Sequence, residues 1–159
     1  MSVVGEVTAA NDRYASAFAK GDLPMPPGRK FAVVTCMDAR LDPARFLGLE
    51  EGDAHVIRNA GGLVNDETIR SLVISHHLLG TEEAVVIGHS GCGMLTFTNA
   101  DLHERLGPEA ESIDFQPFPD VSESVRQSVQ RIRSHPLLPD SFGASGFVYG
   151  VETGRIEPV

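Results

Sequence analysis

Three reactive side chains crowd into Cys36-Met37-Asp38-Ala39-Arg40, directly after the apolar run Phe31-Ala32-Val33-Val34. The second cysteine of the chain, Cys92, closes His89-Ser90-Gly91-Cys92, after the apolar run Ala84-Val85-Val86-Ile87 and Gly88. Each cysteine therefore stands just past a predicted strand. If those strands are parallel neighbours, their carboxyl ends lie side by side, where open α/β folds place their ligand sites. Cys36, His89 and Cys92 would then converge on one metal ion.

A Cys, His, Cys donor set suits zinc, and a structural zinc site normally adds a fourth cysteine or histidine. The chain has no third cysteine. Its fourth position falls to water, another histidine or Asp38. Three ligands with an open position is the pattern of catalytic zinc, whose bound water becomes a nucleophile near neutral pH. Two thiolates cancel the charge of Zn²⁺, so such an ion acidifies water less than one held by three neutral histidines. A neighbouring acceptor would compensate, and Asp38 is placed to serve, with Arg40 holding its carboxylate ionised and oriented. Plainer readings compete: two buried apolar thiols or a disulfide, a purely structural zinc, or an ordinary Asp38–Arg40 ion pair.

The elements that must position these groups follow from periodicity and punctuation. Val7, Ala10, Tyr14, Ala17 and Phe18 predict an amphipathic helix over residues 5–19, stopped by Lys20-Gly21 and followed by an extended arm containing Pro24, Pro26 and Pro27. That helix either packs on a partner subunit or folds back on its own domain. Phe31–Thr35 is a central strand of a parallel sheet, and Asp42-Pro43 caps a short helix ending near Gly48. Ala54–Arg58 is a second strand closed by Asn59-Ala60-Gly61-Gly62. Ile69, Leu72, Val73, His76 and Leu79 give a helix from Asp66 to Gly80, and Glu83–Gly88 is a third strand. A short helix over 99–106 ends at Gly107-Pro108, and 107–119 is a structured loop. Asp120 with Glu123 predicts a capping box for a helix whose buried face is Val121, Val125, Val129 and Ile132. A strand over 146–151, a turn at Glu152-Thr153-Gly154 and residues 155–159 make an edge hairpin. His76 reads as a core or interface residue, and His55, His77, His103 and His135 as surface residues. The fold class is α/β, a mostly parallel central sheet flanked by helices with a C-terminal edge hairpin. It forms one domain over 1–159, with 1–28 as an N-terminal helix and arm.

Composition bounds the function. The 159 residues are 42% hydrophobic and 22% charged, as in a soluble globular domain. A net charge of −9 argues against nucleic acid or an anionic membrane as partner. There is no signal-like segment and no apolar run of transmembrane length, and two cysteines are too few for a disulfide framework. A cytoplasmic location is the expectation.

The separated motifs Cys36–Arg40, Val56-Ile57-Arg58-Asn59-Ala60-Gly61-Gly62, Ile69-Arg70-Ser71-Leu72 and Gly88–Met94 together resemble the β-class carbonic anhydrases of short bacterial and archaeal type, along nearly the whole chain. The resemblance implies one zinc per chain on Cys36, His89 and Cys92, with Asp38 and Arg40 as the catalytic dyad. Ala60, Gly61 and Gly93 match the substrate pocket. It also implies reversible hydration of CO₂ to bicarbonate by zinc hydroxide, in a homodimer or larger homo-oligomer with active sites at the subunit interface. Members of the same fold family hydrolyse carbonyl sulfide or carbon disulfide with the same zinc chemistry, which is the alternative. For a sulfur substrate, Ala60, Gly61, Gly62 and Gly93 leave room and Leu63, Val64 and Met94 offer an apolar wall. A non-catalytic zinc scaffold is the third reading, against which the intact Asp38–Arg40 pair argues.

Overall fold

The apolar runs before the two cysteines are strands β1 (Phe31–Cys36) and β3 (Glu83–His89), direct parallel neighbours in a computed structural model that describes residues 2–159. Phe31 pairs with Glu83 and Thr35 with Ile87, so the two carboxyl ends reach the same level. Residues 32 to 36 are buried without interruption, which is why β1 reads as a continuous apolar run rather than an alternating one. Thr35, the polar exception, donates its hydroxyl to the carbonyl of Ile87 at 2.8 Å.

Five strands form one sheet in the order β2-β1-β3-β4-β5, with β2 at Ala54–Asn59, β4 at Gly143–Tyr149 and β5 at Ile156–Pro158. The first four are parallel and β5 runs antiparallel to β4. From β1 the chain steps outward to β2, then returns to the other side of β1 to make β3. That reversal opens a crevice beyond the carboxyl ends of β1 and β3, the topological switch point of an open α/β sheet.

Helices α3 (Asp66–Leu79) and α5 (Val121–Arg133) cover one face. Their Ile69, Leu72, Val125, Val129 and Ile132 pack on Ala32, Val34, Ala84, Val86 and Ala144, where short strand side chains admit the helices closely. Burying a side chain such as Leu72 or Ile132 contributes roughly 1.5–3 kcal/mol. A second cluster of Cys36, Leu41, Cys92 and Met94 lies at the carboxyl end of the sheet, joined by Phe46, Phe97, Phe118 and Tyr149. Phe46 ends the short helix α2 (Pro43–Phe46), which Asp42 caps as its sequence predicts, and its ring stacks on Tyr149 at 4.6 Å.

Several boundaries differ from the sequence reading. The first helix, α1, spans Val3–Ser16 because the Ser2 side chain caps it, and it ends before Lys20. No residue of α1 is buried; Val3, Val4, Val7, Tyr14 and Phe18 are exposed, and Tyr14 and Lys20 reach the body of the protein through Glu51. At Asp120 only half of the capping box forms, since Asp120 accepts from the Glu123 amide while the Glu123 carboxylate turns to Arg126 and Gln127. The reciprocal box closes instead at α4 (Asn99–Leu106), between Thr98 and Asp101. The fourth strand begins at Gly143, three residues before its predicted start at Gly146.

Replacing Leu72 by alanine leaves a cavity between α3 and the sheet, and such a loss costs about 2–5 kcal/mol. Urea denaturation of Leu72→Ala should show that drop.

Candidate metal centre

Cys36 ends β1, His89 ends β3, and Cys92 lies three residues further, in the turn after β3. All three are buried, and one potential ligand atom from each lies within 4.8 Å of the others. The Cys36 and Cys92 sulfurs are 4.0 Å apart. That is about twice a disulfide bond length of roughly 2.05 Å. It approaches the ~3.8 Å separation of two thiolates that each sit ~2.3 Å from a tetrahedral zinc. His89 is wholly buried, and its Nδ1 lies 3.0 Å from the Ser90 carbonyl. A proton on Nδ1 satisfies that contact and leaves Nε2 with a free lone pair. Among the described residues nothing hydrogen-bonds to Nε2. A buried polar atom without a partner is costly, and a cation between the three side chains would remove the cost. These residues fit zinc.

The thiols differ in readiness. Burial pushes Cys36 up, but His89 beside it and the backbone amides of Asp38 and Gly61 outweigh this and bring it down to about 7. Burial dominates at Cys92 and pushes it up to about 11. Neither environment alone holds two thiolates 4.0 Å apart. A divalent cation between them would.

Asp38 is bonded to Arg40. Arg40 grips the carboxylate in a fork, Nε to Oδ1 at 2.9 Å and Nη2 to Oδ2 at 2.7 Å, and its amide also donates to Oδ1 at 2.9 Å. The Arg40 contacts hold the Asp38 carboxyl well below the usual carboxylate range. Nη2 also donates to the Gly91 carbonyl at 2.9 Å, tying the Cys36 loop to the turn that carries Cys92. Asp38 Oδ2 stands 3.7 Å from His89 Nε2, close to the ligand atoms without bonding to them. The five other histidines are engaged elsewhere: His55 with Ser75, His76 with the Thr81 carbonyl, His77 with the Leu137 carbonyl, His103 with the Ile113 carbonyl, and His135 with the Leu137 amide. His55, His103 and His135 are half-buried rather than surface residues, and His77 is exposed as expected. The open side of the three-residue cluster therefore faces Asp38 and a cavity.

That cavity, about 290 Å³, is lined by Cys36, Met37, Asp38, Ala60, Gly61, Cys92, Gly93, Met94 and Phe97. Ala60, Gly61 and Gly93, the residues the motifs single out, are among its walls. Phe97 is a wall residue that sequence reasoning missed, because it stands outside every motif. Gly62, Leu63 and Val64 do not line the cavity; Leu63 and Val64 face a neighbouring cleft. Gly61 and Gly62 adopt φ of +82° and +65°, conformations that side chains disfavour. A Cβ on Gly62 would lie 2.9 Å from the Cys36 amide nitrogen, so the turn packs directly against the strand end that carries Cys36.

Comparison with known proteins agrees with this geometry. A family model described as "Carbonic anhydrase" matches residues 31–114. Beta-carbonic anhydrase 1 of Mycobacterium tuberculosis is 48% identical over 162 aligned positions, covering 100% of this chain and 99% of that protein. A carbon disulfide hydrolase of Acidithiobacillus thiooxidans is 34% identical, covering 84% of this chain and 79% of its own. The crystal structure of carbonic anhydrase from Streptococcus mutans superposes with a TM-score of 0.93 at 46% identity, covering 100% of this chain and 98% of that one.

Metal analysis of the purified protein should find one zinc per chain, and Cys36→Ser should leave far less than one. Thiolate and imidazole must both be deprotonated to bind, so zinc affinity should fall as the pH is lowered. Competition with a chromophoric chelator across pH measures this.

Proposed function

The chain belongs to the β-carbonic anhydrase family, and from that membership we propose that it catalyses the reversible hydration of CO₂ to bicarbonate, with one zinc held by Cys36, His89 and Cys92. The observation that carries this reading is the conjunction of a three-ligand cluster, a forked Asp38–Arg40 pair 3.7 Å from it, and an adjoining cavity. When bound, zinc supplies a Lewis acid that brings a water near neutral acidity. Everything else is done by the chain. Asp38, kept ionised by Arg40, holds Oδ2 3.7 Å from His89 Nε2, where it would accept the proton of a water held by the ion. Arg40 spends its donors on Asp38 and the Gly91 carbonyl, so it acts on the reaction through Asp38. Met94, Phe97 and the small residues Ala60, Gly61 and Gly93 offer an apolar, uncharged molecule a cavity in which it loses little hydration.

Hydrolysis of carbonyl sulfide or carbon disulfide is the second reading, favoured by the 34% identity to a carbon disulfide hydrolase. The higher identity, 48%, is to a carbonic anhydrase over the whole chain. CO₂ hydration and hydrolysis of both sulfur analogues, assayed on one zinc-loaded preparation, separate the two. The expected result is a higher kcat/KM for CO₂, and a higher value for a sulfur substrate would reverse the assignment.

The reading extends to assembly and location. One domain over 1–159 would pair with a second copy, because α1 leaves Val3, Val4, Val7 and Tyr14 exposed, the segment after it exposes Phe18 and the sheet exposes Val56. Among the described residues no helix is long and apolar enough to cross a membrane. Two free thiols poised for a metal suit a reducing, cytoplasmic compartment.

Asp38→Asn keeps the size of the acceptor but loses its charge. It should retain zinc and lose about 10²–10⁴-fold in CO₂ hydration at neutral pH, measured by stopped flow. Light scattering at micromolar concentration should give a dimer or a larger homo-oligomer.

A further inference from the structure

Arg58 belongs to a recognised motif, yet neither the metal cluster nor the Asp38–Arg40 pair uses it. It sits near the carboxyl end of β2, one position before Asn59, and its side chain reaches back over the neighbouring strand end. Nε donates to the Cys36 carbonyl at 2.9 Å and Nη2 to the Asp38 carbonyl at 2.7 Å. One rigid guanidinium thus bridges the backbone of a proposed metal ligand and the backbone of the proposed proton acceptor, two residues apart. Arg58 has no salt bridge to a carboxylate among the described residues, so its donors are committed to carbonyls rather than to a charge partner.

The surrounding bonds show why the bridge matters. After Cys36 the chain leaves the sheet, and from there Met37 donates its amide to the Asn59 carbonyl at 2.9 Å. Leu41 donates to the Asp38 carbonyl at 3.1 Å, the same oxygen that Arg58 holds. Asn59, next to Arg58, fastens the glycine turn on the other side through Leu63, accepting its amide at 2.7 Å and donating to its carbonyl at 2.8 Å. The end of β2 is a clamp with two jaws. One holds the loop that carries Cys36 and Asp38, and the other holds the turn that carries Ala60 and Gly61.

We propose that Arg58 is a positioning residue for the reaction: by holding the Cys36 and Asp38 carbonyls together, it fixes the Asp38 carboxylate relative to the three-ligand cluster. The side chain lies on the backbone side of both residues and does not line the cavity, so it acts through Asp38 and not on substrate. Lysine at this position keeps the charge and most of the stem but cannot present two donors in a fixed fork. Arg58→Lys is therefore the discriminating variant, and it preserves packing that alanine would remove.

The inference rests on the reading of Asp38 as acceptor in CO₂ hydration, so two independent readouts are taken on the zinc-loaded enzyme. In Arg58→Lys, amide hydrogen exchange over residues 36–41 should quicken by about tenfold or more, while exchange in β3 and the thermal midpoint stay near the parent values. CO₂ hydration should lose roughly 10–100-fold in kcat with KM and zinc content little changed, as for other residues that orient a ligand from behind. Millimolar guanidinium should restore part of the kcat of Arg58→Ala. If Arg58→Lys keeps kcat within about twofold of the parent, or if exchange quickens equally in β3 and the midpoint falls with activity, the positioning role is overturned. An inactive parent enzyme would instead count against the CO₂ reading, leaving the exchange result to decide whether Arg58 orders the loop.

Discussion

A buried imidazole nitrogen with no partner, aimed at two thiols 4.0 Å apart, is the constraint on which the rest of the structure depends. An unsatisfied buried polar group costs on the order of 1–3 kcal/mol, and a second buried thiolate would cost more. Packing cannot remove either penalty, because both are electrostatic. A divalent cation would remove both at once, which is why the cluster fits one. The fold supplies the rigidity: β1 and β3 are neighbouring interior strands of the sheet, and their carboxyl-terminal halves, Val34–Cys36 and Val86–His89, are buried without interruption.

The same geometry explains why the acceptor and its arginine are where they are. A carboxylate 3.7 Å from His89 Nε2 would be drawn to any cation placed between the ligands. Arg40 competes for it with a forked pair of bonds and the amide of its own backbone, and then fixes itself to the Gly91 carbonyl. Side chains from β1, the turn after β3 and the end of β2 are thus parts of one bonded framework, and the cavity occupies the gap they leave.

Much of this was legible in the sequence because each signal was local. Two apolar runs, each followed within a few residues by a cysteine, point to two strands and to their parallel pairing, and Gly80 in the left-handed region ends α3 where its stripe ends. The clustered Cys36, His89 and Cys92, the Asp38–Arg40 pair and the cavity residues Ala60, Gly61 and Gly93 all lie within short motifs. What escaped was set by contacts distant in sequence. Phe97 reaches the cavity only because the turn after Cys92 folds it back, and the bonds of Arg58 to the Cys36 and Asp38 carbonyls have no signature in residue type. The start of β4 was missed because Gly143-Ala144-Ser145-Gly146 lacks the bulky alternation of a strand; α5 packs over it, and the Cβ position of Gly146 is filled by Val125 and Val129. At Glu123 two exposed partners on the same helix outcompete the N-cap amide.

X-ray absorption at the zinc edge tests the central claim most directly, since it counts the donor atoms around the ion without reference to activity. The account predicts two sulfur atoms at about 2.3 Å and lighter nitrogen or oxygen atoms at about 2.0–2.1 Å completing a four-coordinate shell. A shell with no sulfur, or with one, would contradict it.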